Sequence, residues 1–314
     1  MRFPARLAPL ALLLAACGGA TASAPAPVAP VTVATLEVPP DKAVVPPEVR
    51  LISAGEAPHA PLRFRPEKGL TQRLRMEMDM TMETQVVGGF PQRIEAPTTT
   101  SVLRQAVTDV AADGTFRLEF GIESIEVGGD GPLRAAMIEA LEPLTTMQGW
   151  SIGDARGRVL GLDFRLAGDV PATAQQSLDS IRDALRQMLP SLPEEPVGVG
   201  AEWEVVQPFV TSALTFEQTA RFRLLRREGD RVELAVTIAQ RAEPQPLQSP
   251  QPGMSVRLES FQGGGEATTA YELGGRFLRS ETHVLIEMQS VVSAGAQTAQ
   301  SQVRMETNAR VQEM

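Results

Sequence analysis

The residues able to do chemistry are few, and the most unusual stand together. Met76, Met78, Met80 and Met82 occupy every second position of one stretch, with Arg75, Glu77, Asp79, Thr81 and Glu83 between them. Period-two alternation marks a strand with one apolar face. A row of thioethers on such a face has three readings. It is an adaptable surface for acyl chains, because methionine fits irregular shapes. It is a soft-ligand site for Cu(I). Or it is the ordinary packing of a core strand. No histidine or cysteine cluster accompanies the row, which disfavours copper.

Other candidates are weaker. Gly149-Trp150-Ser151-Ile152-Gly153 has the spacing of a nucleophile elbow, which needs a strand before it, a helix after it, and a downstream histidine and acid. Here Asp154-Ala155-Arg156-Gly157 reads as a turn into another strand, and His283 is the one histidine downstream. His59 and His283 are too isolated to form a metal site. Glu77, Asp79 and Glu83 read as a solvated strand face. Paired glycosidase carboxylates would sit in a cleft with aromatic platforms, and the chain has one Tyr and two Trp. Gly263-Gly264-Gly265 lacks the Lys-Ser/Thr that completes a phosphate loop, and reads as a turn or bulge. The expectation is a protein without catalytic residues, metal ligands or cofactor: not an enzyme.

Cys17 is the single cysteine, so no intrachain disulfide can form. It ends Leu14-Ala15-Ala16-Cys17, directly after the basic Arg2 and Arg6 and the short apolar run 7–14. Such an arrangement is a processing signal, too short to span a bilayer. The tetrad resembles the lipobox of bacterial lipoproteins, which implies cleavage before Cys17 and lipidation of that residue. Gly18 follows in place of an Asp, so the resemblance implies the outer membrane, on its periplasmic face. Loss of residues 1–16 takes away Arg2 and Arg6 and moves the formal charge from −9 to −11. An acidic chain is a poor match for nucleic acid or anionic headgroups, so the expected membrane contact is the lipid at Cys17.

Residues 17–61 read as a lipidated cysteine and a Pro/Ala-rich tether, since Pro25, Pro27, Pro30, Pro39, Pro40, Pro46, Pro47, Pro58 and Pro61 favour extended polyproline II. Val44–Ile52 is more apolar and is a candidate to dock. Residues 62–314 read as one β-rich domain. Its hairpins turn on Asp113-Gly114, Glu228-Gly229-Asp230 and Gly274-Gly275. A phase change between Ile122 and Ile125 suggests a bulge. Pro132–Leu141 reads as a short helix. A longer amphipathic helix is expected over 172–189, with Leu178, Ile181, Leu185, Met188 and Leu189 on one stripe. The expected fold class is therefore α+β: long antiparallel strands in a curved sheet or half-barrel, with two helices, the longer covering the concave face. The halves 62–170 and 200–314 share a pattern of hairpins, joined by that helix.

The lipobox, the tether, the amphipathic strands and the element Leu-Pro-Glu-Glu-Pro-Val-Gly-Val-Gly-Ala-Glu-Trp at 192–203 resemble a group of bacterial envelope lipoproteins. More loosely, the architecture is similar to the carrier fold of LolA and the LppX-type lipid carriers. The resemblance implies acyl chains held by a curved sheet under a helical lid. The expected ligand face comprises Met76, Met78 and Met80 with Leu178, Ile181, Leu185 and Met188. The expected partners are the membrane, a lipid or acyl ligand, and other envelope proteins, with no nucleic acid. The alternative is a non-catalytic structural or adaptor lipoprotein.

Overall fold

Alternating sequence becomes paired strand almost throughout the chain. The computed structural model describes residues 36–167, 189–210, 214–247, 254–294 and 297–314, with Arg182, Leu185 and Arg186. All lie within one compact unit, Val33–Met314. Fourteen strands form one antiparallel sheet. The first arm is a meander of β2 (Thr71–Val86), β4 (Thr99–Val110), β5 (Phe116–Val127), β6 (Gln148–Gly153) and β7 (Val159–Arg165), with short β3 (Gln92–Glu95) beside the upper half of β2. The second arm is a meander of β8 (Glu202–Val210), β9 (Thr215–Glu228), β10 (Arg231–Ala242), β12 (Met254–Glu272), β13 (Phe277–Ala294) and β14 (Gln297–Glu313), with β11 (Pro246–Leu247) on β12. The last strand closes back on the first long one: β14 pairs β2 from Ser301↔Val86 to Glu313↔Leu74. In β5 the register shifts between Leu103↔Ile122 and Val102↔Ser124, leaving Glu123 as the extra residue.

The sheet is open, and its free edges meet the N-terminal segment. Ala43 bridges Gly161 of β7, the Val44 N–H donates to the Leu160 carbonyl (2.9 Å), and Lys42 pairs with Asp163 (3.2 Å). A few residues later β1 (Glu48–Ser53) pairs with β8 at the opposite edge. Residues 43–53 lie within the span expected as tether, in which Val44–Ile52 was the candidate to dock. It does dock, as part of the sheet, with Val44, Val49 and Leu51 packing against the core.

That core joins both arms. Leu74, Leu103 and Phe116 of the first arm cluster with Phe222, Leu224 and Leu234 of the second. Fully buried Trp203 stacks on Phe222 (5.5 Å, 6°) and donates its indole N–H to the Ser191 carbonyl (2.9 Å). The element 192–203 is a collar around this point. Leu192, Val197 and Ala201 are buried. Arg156 and Arg63 donate to the carbonyls of Leu192 and Pro193. Ala60 and Val197 exchange backbone bonds. A buried amide pair, Gln72 and Gln105, ties β2 and β4 to Phe277 at the start of β13.

The expected α+β class is overturned. Among the described residues the one complete α-helix is α1 (Pro132–Leu141), which buries no residue, and Arg182, Leu185 and Arg186 are also helical. Strand dominates, with fourteen strands in one antiparallel sheet, which makes this an antiparallel β protein. The expected helix 172–189 lies outside the described residues, apart from Arg182, Leu185, Arg186 and Leu189. The glycine run 263–265 is also corrected. It is neither turn nor bulge but lies in the uninterrupted ladders of β12 with β10 and β13. A Cβ at Gly265 would stand 2.5 Å from the His283 carbonyl oxygen and 2.9 Å from Val284 Cγ2. The run permits close approach within the sheet.

Candidate ligand-binding face

Strand register fixes which side chains share a face, since cross-strand partners point the same way and neighbours along a strand alternate. One row reads Met78–Ala309–Thr282–Ala267–Val236 across β2, β14, β13, β12 and β10. The next two rows read Met80–Thr307–Val284–Gly265–Ile238 and Met82–Met305–Ile286–Gly263–Gln240. These rows continue upward from the buried Leu74 and Leu234. Burial changes along them. In the first row Val236 is 8% exposed and Met78 is 44% exposed. Met76 is likewise exposed, and Met80, Met82, Met305, Ile286 and Met288 are half-buried. The face is thus packed at β10 and opens towards β2, leaving a field of methionine, valine and isoleucine without full cover from the described core.

The structure places Met76, Met78 and Met80 together as the sequence indicated. It places Leu185 in the core cluster, to which the three methionines do not belong. Leu178, Ile181, Met188 and Cys17 lie outside the described residues.

Sequence reasoning missed one polar feature of this face. Gln240, at the end of the Met82 row, donates from Nε2 to Gln218 Oε1 (2.8 Å), and Gln218 pairs in register with Gln207. The Gln240 Oε1 is buried and accepts no hydrogen bond. The signal was available, since each glutamine stands at an inward position of an alternating strand.

The opposite face is charged. Glu77–Arg310–Glu281 and Asp79–Asn308–His283–Glu266 form adjacent rows. Arg310 pairs with Glu281 (3.4 Å) and His283 with Glu306 (3.0 Å). A groove of about 550 Å³ runs over these rows. Among the described residues no group of three His, Cys, Asp or Glu could hold a metal.

Ser151 lies in mid-β6, buried, paired with Leu118 and Leu162. No strand-to-helix turn follows it, and β5, β4, β2 and β14 stand between it and His283. The pattern around it is not an elbow. The clearest carboxylate perturbation is at the sheet edge, where hydrogen bonds from Arg221 and Arg50 hold Glu204 below the ordinary carboxylate range. Burial pushes the Tyr271 hydroxyl up to about 12. Both are groups of the framework: Glu204 on β8, and Tyr271 on β12 beyond Ala267 towards the packed end of the face.

Comparison with known proteins adds little. No family model matches the chain, and no curated protein matches it. Among solved structures, a loop-deletion mutant of OmpT, an outer membrane protein of Vibrio cholerae, aligns with 7% identity and a TM-score of 0.21, covering 77% of this chain and 100% of the other. In-vitro folded OmpT in its trimer form, from the same organism, aligns with 6% identity and a TM-score of 0.17, covering 79% of this chain and 100% of the other. Likeness at that level carries neither fold nor function across.

Proposed function

We propose that the protein is a non-catalytic, lipid-anchored protein of the cell envelope that binds a lipid or acyl chain on its methionine face. The observation that carries the reading is the exposure of Met76 and Met78 on a face continuous with a packed core. An apolar row that opens to solvent at one end offers transfer free energy to an incoming chain, about 0.8 kcal/mol per buried CH₂. Methionine suits ligands of variable shape. The anchor rests on the lipobox-like Leu14–Cys17. Cys17→Ser should release the protein from the membrane fraction or block its processing; unchanged fractionation with normal processing would remove the anchor from the proposal. Ligand binding is tested separately, by identifying lipids that co-purify with the protein and comparing their amount in Met78→Asp.

The alternative, an adaptor that contacts other envelope proteins, is favoured by the half-buried Glu77 and the exposed Asp79, Glu266 and Glu281 along the charged groove. Their replacement by Gln and Asn should abolish a protein contact and leave bound lipid unchanged.

A further inference from the structure

The two rims of the sheet from β8 through β14 to β2 differ in charge. At the lower rim the turns that join or precede the long strands carry charge: Glu67-Lys68 precedes β2, Glu228-Gly229-Asp230-Arg231 joins β9 to β10, and Glu272 and Arg276 flank the turn from β12 to β13, while Val199-Gly200 before β8 is uncharged. At the upper rim the described residues carry no charge over 84–92, 208–210, 214–216, 244–247, 254–256, 288–294 and 297–303. Register puts the described parts of these stretches at one end. Val86 pairs Ser301, the Val87 N–H donates to the Gln300 carbonyl, Ala294 pairs both Gln297 and Met254, and Val210 pairs Thr215. The rim is also apolar where it projects. Phe90 is 93% exposed, Val87 60% and Val210 75%. Phe90 sits on the turn between β2 and β3, beside Gly88 at φ 84°, and Val210 sits at the end of β8.

We propose that this uncharged rim inserts into the surface of a lipid bilayer, with Phe90, Val87 and Val210 as the inserting side chains. Phe90 and Val210 stand on strands six steps apart in the sheet, roughly 29 Å at the usual strand spacing. Scattered apolar tips give no contiguous patch for a protein partner to match. A fluid apolar medium buries them together. The charges bordering the rim are of both signs: Arg93 pairs with Glu83 (2.8 Å), Arg257 with Glu259 (3.3 Å), and Glu217, Arg241 and Glu243 border the other stretches, so the contact does not depend on anionic lipid. The proposal stands independently of any ligand on the methionine face.

The test is depth-dependent quenching. The full-length protein is bound to phosphatidylcholine vesicles whose acyl chains carry bromine, and Phe90→Trp, Val210→Trp and Glu67→Trp are compared with the parent, whose two tryptophans set the baseline. Phe90→Trp and Val210→Trp should lose emission as brominated lipid increases, and Glu67→Trp, at the lower rim, should not. Equal quenching at all three positions, or none at Phe90→Trp and Val210→Trp, would overturn the proposal.

Discussion

Truncations at Leu185 and Met78 separate packed face from open face. Leu185 is buried within the core cluster. Leu185→Ala should leave a cavity and cost about 2–5 kcal/mol. Met78 is nearly half exposed. A fully buried methionine contributes about 1.5–3 kcal/mol, so truncating a half-exposed one should cost about 1 kcal/mol or less. With a urea slope near 3 kcal/mol/M, the midpoints should fall by about 1 M for Leu185→Ala and about 0.3 M for Met78→Ala. Equilibrium unfolding followed by the emission of buried Trp203 reads both. Bound lipid should show the reverse order: Met78→Ala loses ligand, and folded Leu185→Ala retains it. If Met78→Ala costs as much as Leu185→Ala, the methionine row is packed core and the reasoning from its exposure fails.

Three further outcomes follow from the framework. Gly198→Ala should lower the melting temperature by several degrees, because an added Cβ would overlap the Glu56 carbonyl oxygen, and calorimetry reads the loss. Glu204 is held below its ordinary range, so its contribution is full above the unfolded value near pH 4.5 and is lost as pH falls through the depressed folded value. Glu204→Gln should therefore flatten the stability profile below about pH 4.5, as an acid titration of the unfolding midpoint would show. Tyr271 is pushed up to about 12, so the folded state holds its proton where the unfolded chain has lost it. Stability should decline from about pH 10 to about pH 12 and then level, and Tyr271→Phe should remove that segment.

Much of the sheet was legible because alternation is a local signal. Asp113-Gly114 announced the β4–β5 hairpin, and Gly114 has the positive φ (85°) that the turn requires. Pro132–Leu141 was legible from Pro132 and its helix-forming run. The pairing of β14 with β2 was not, since two alternating strands more than 200 residues apart carry no mark of their partnership. That Val44–Ile52 docks was legible from its apolar composition within a proline-rich stretch; its place in the sheet, between β7 and β8, was not. The glycine run 263–265 misled for a related reason. Alone it signals a turn, and only the neighbouring Gln240 and Val284 side chains show that it makes room. At the candidate site, Met76, Met78 and Met80 could be assigned to one face, but their exposure could not, because alternation is the same over a packed core and over an open one.

The account's central claim is that the methionine face holds an apolar ligand. The most direct measurement is quantitative mass spectrometry of lipid extracted from the purified full-length protein and from Met78→Asp, each verified as folded by the near-ultraviolet signal of Trp203. The account predicts an acyl lipid in near-stoichiometric amount in the parent, sharply reduced in folded Met78→Asp. A parent protein that is folded and free of lipid, or equal lipid in both, would contradict it.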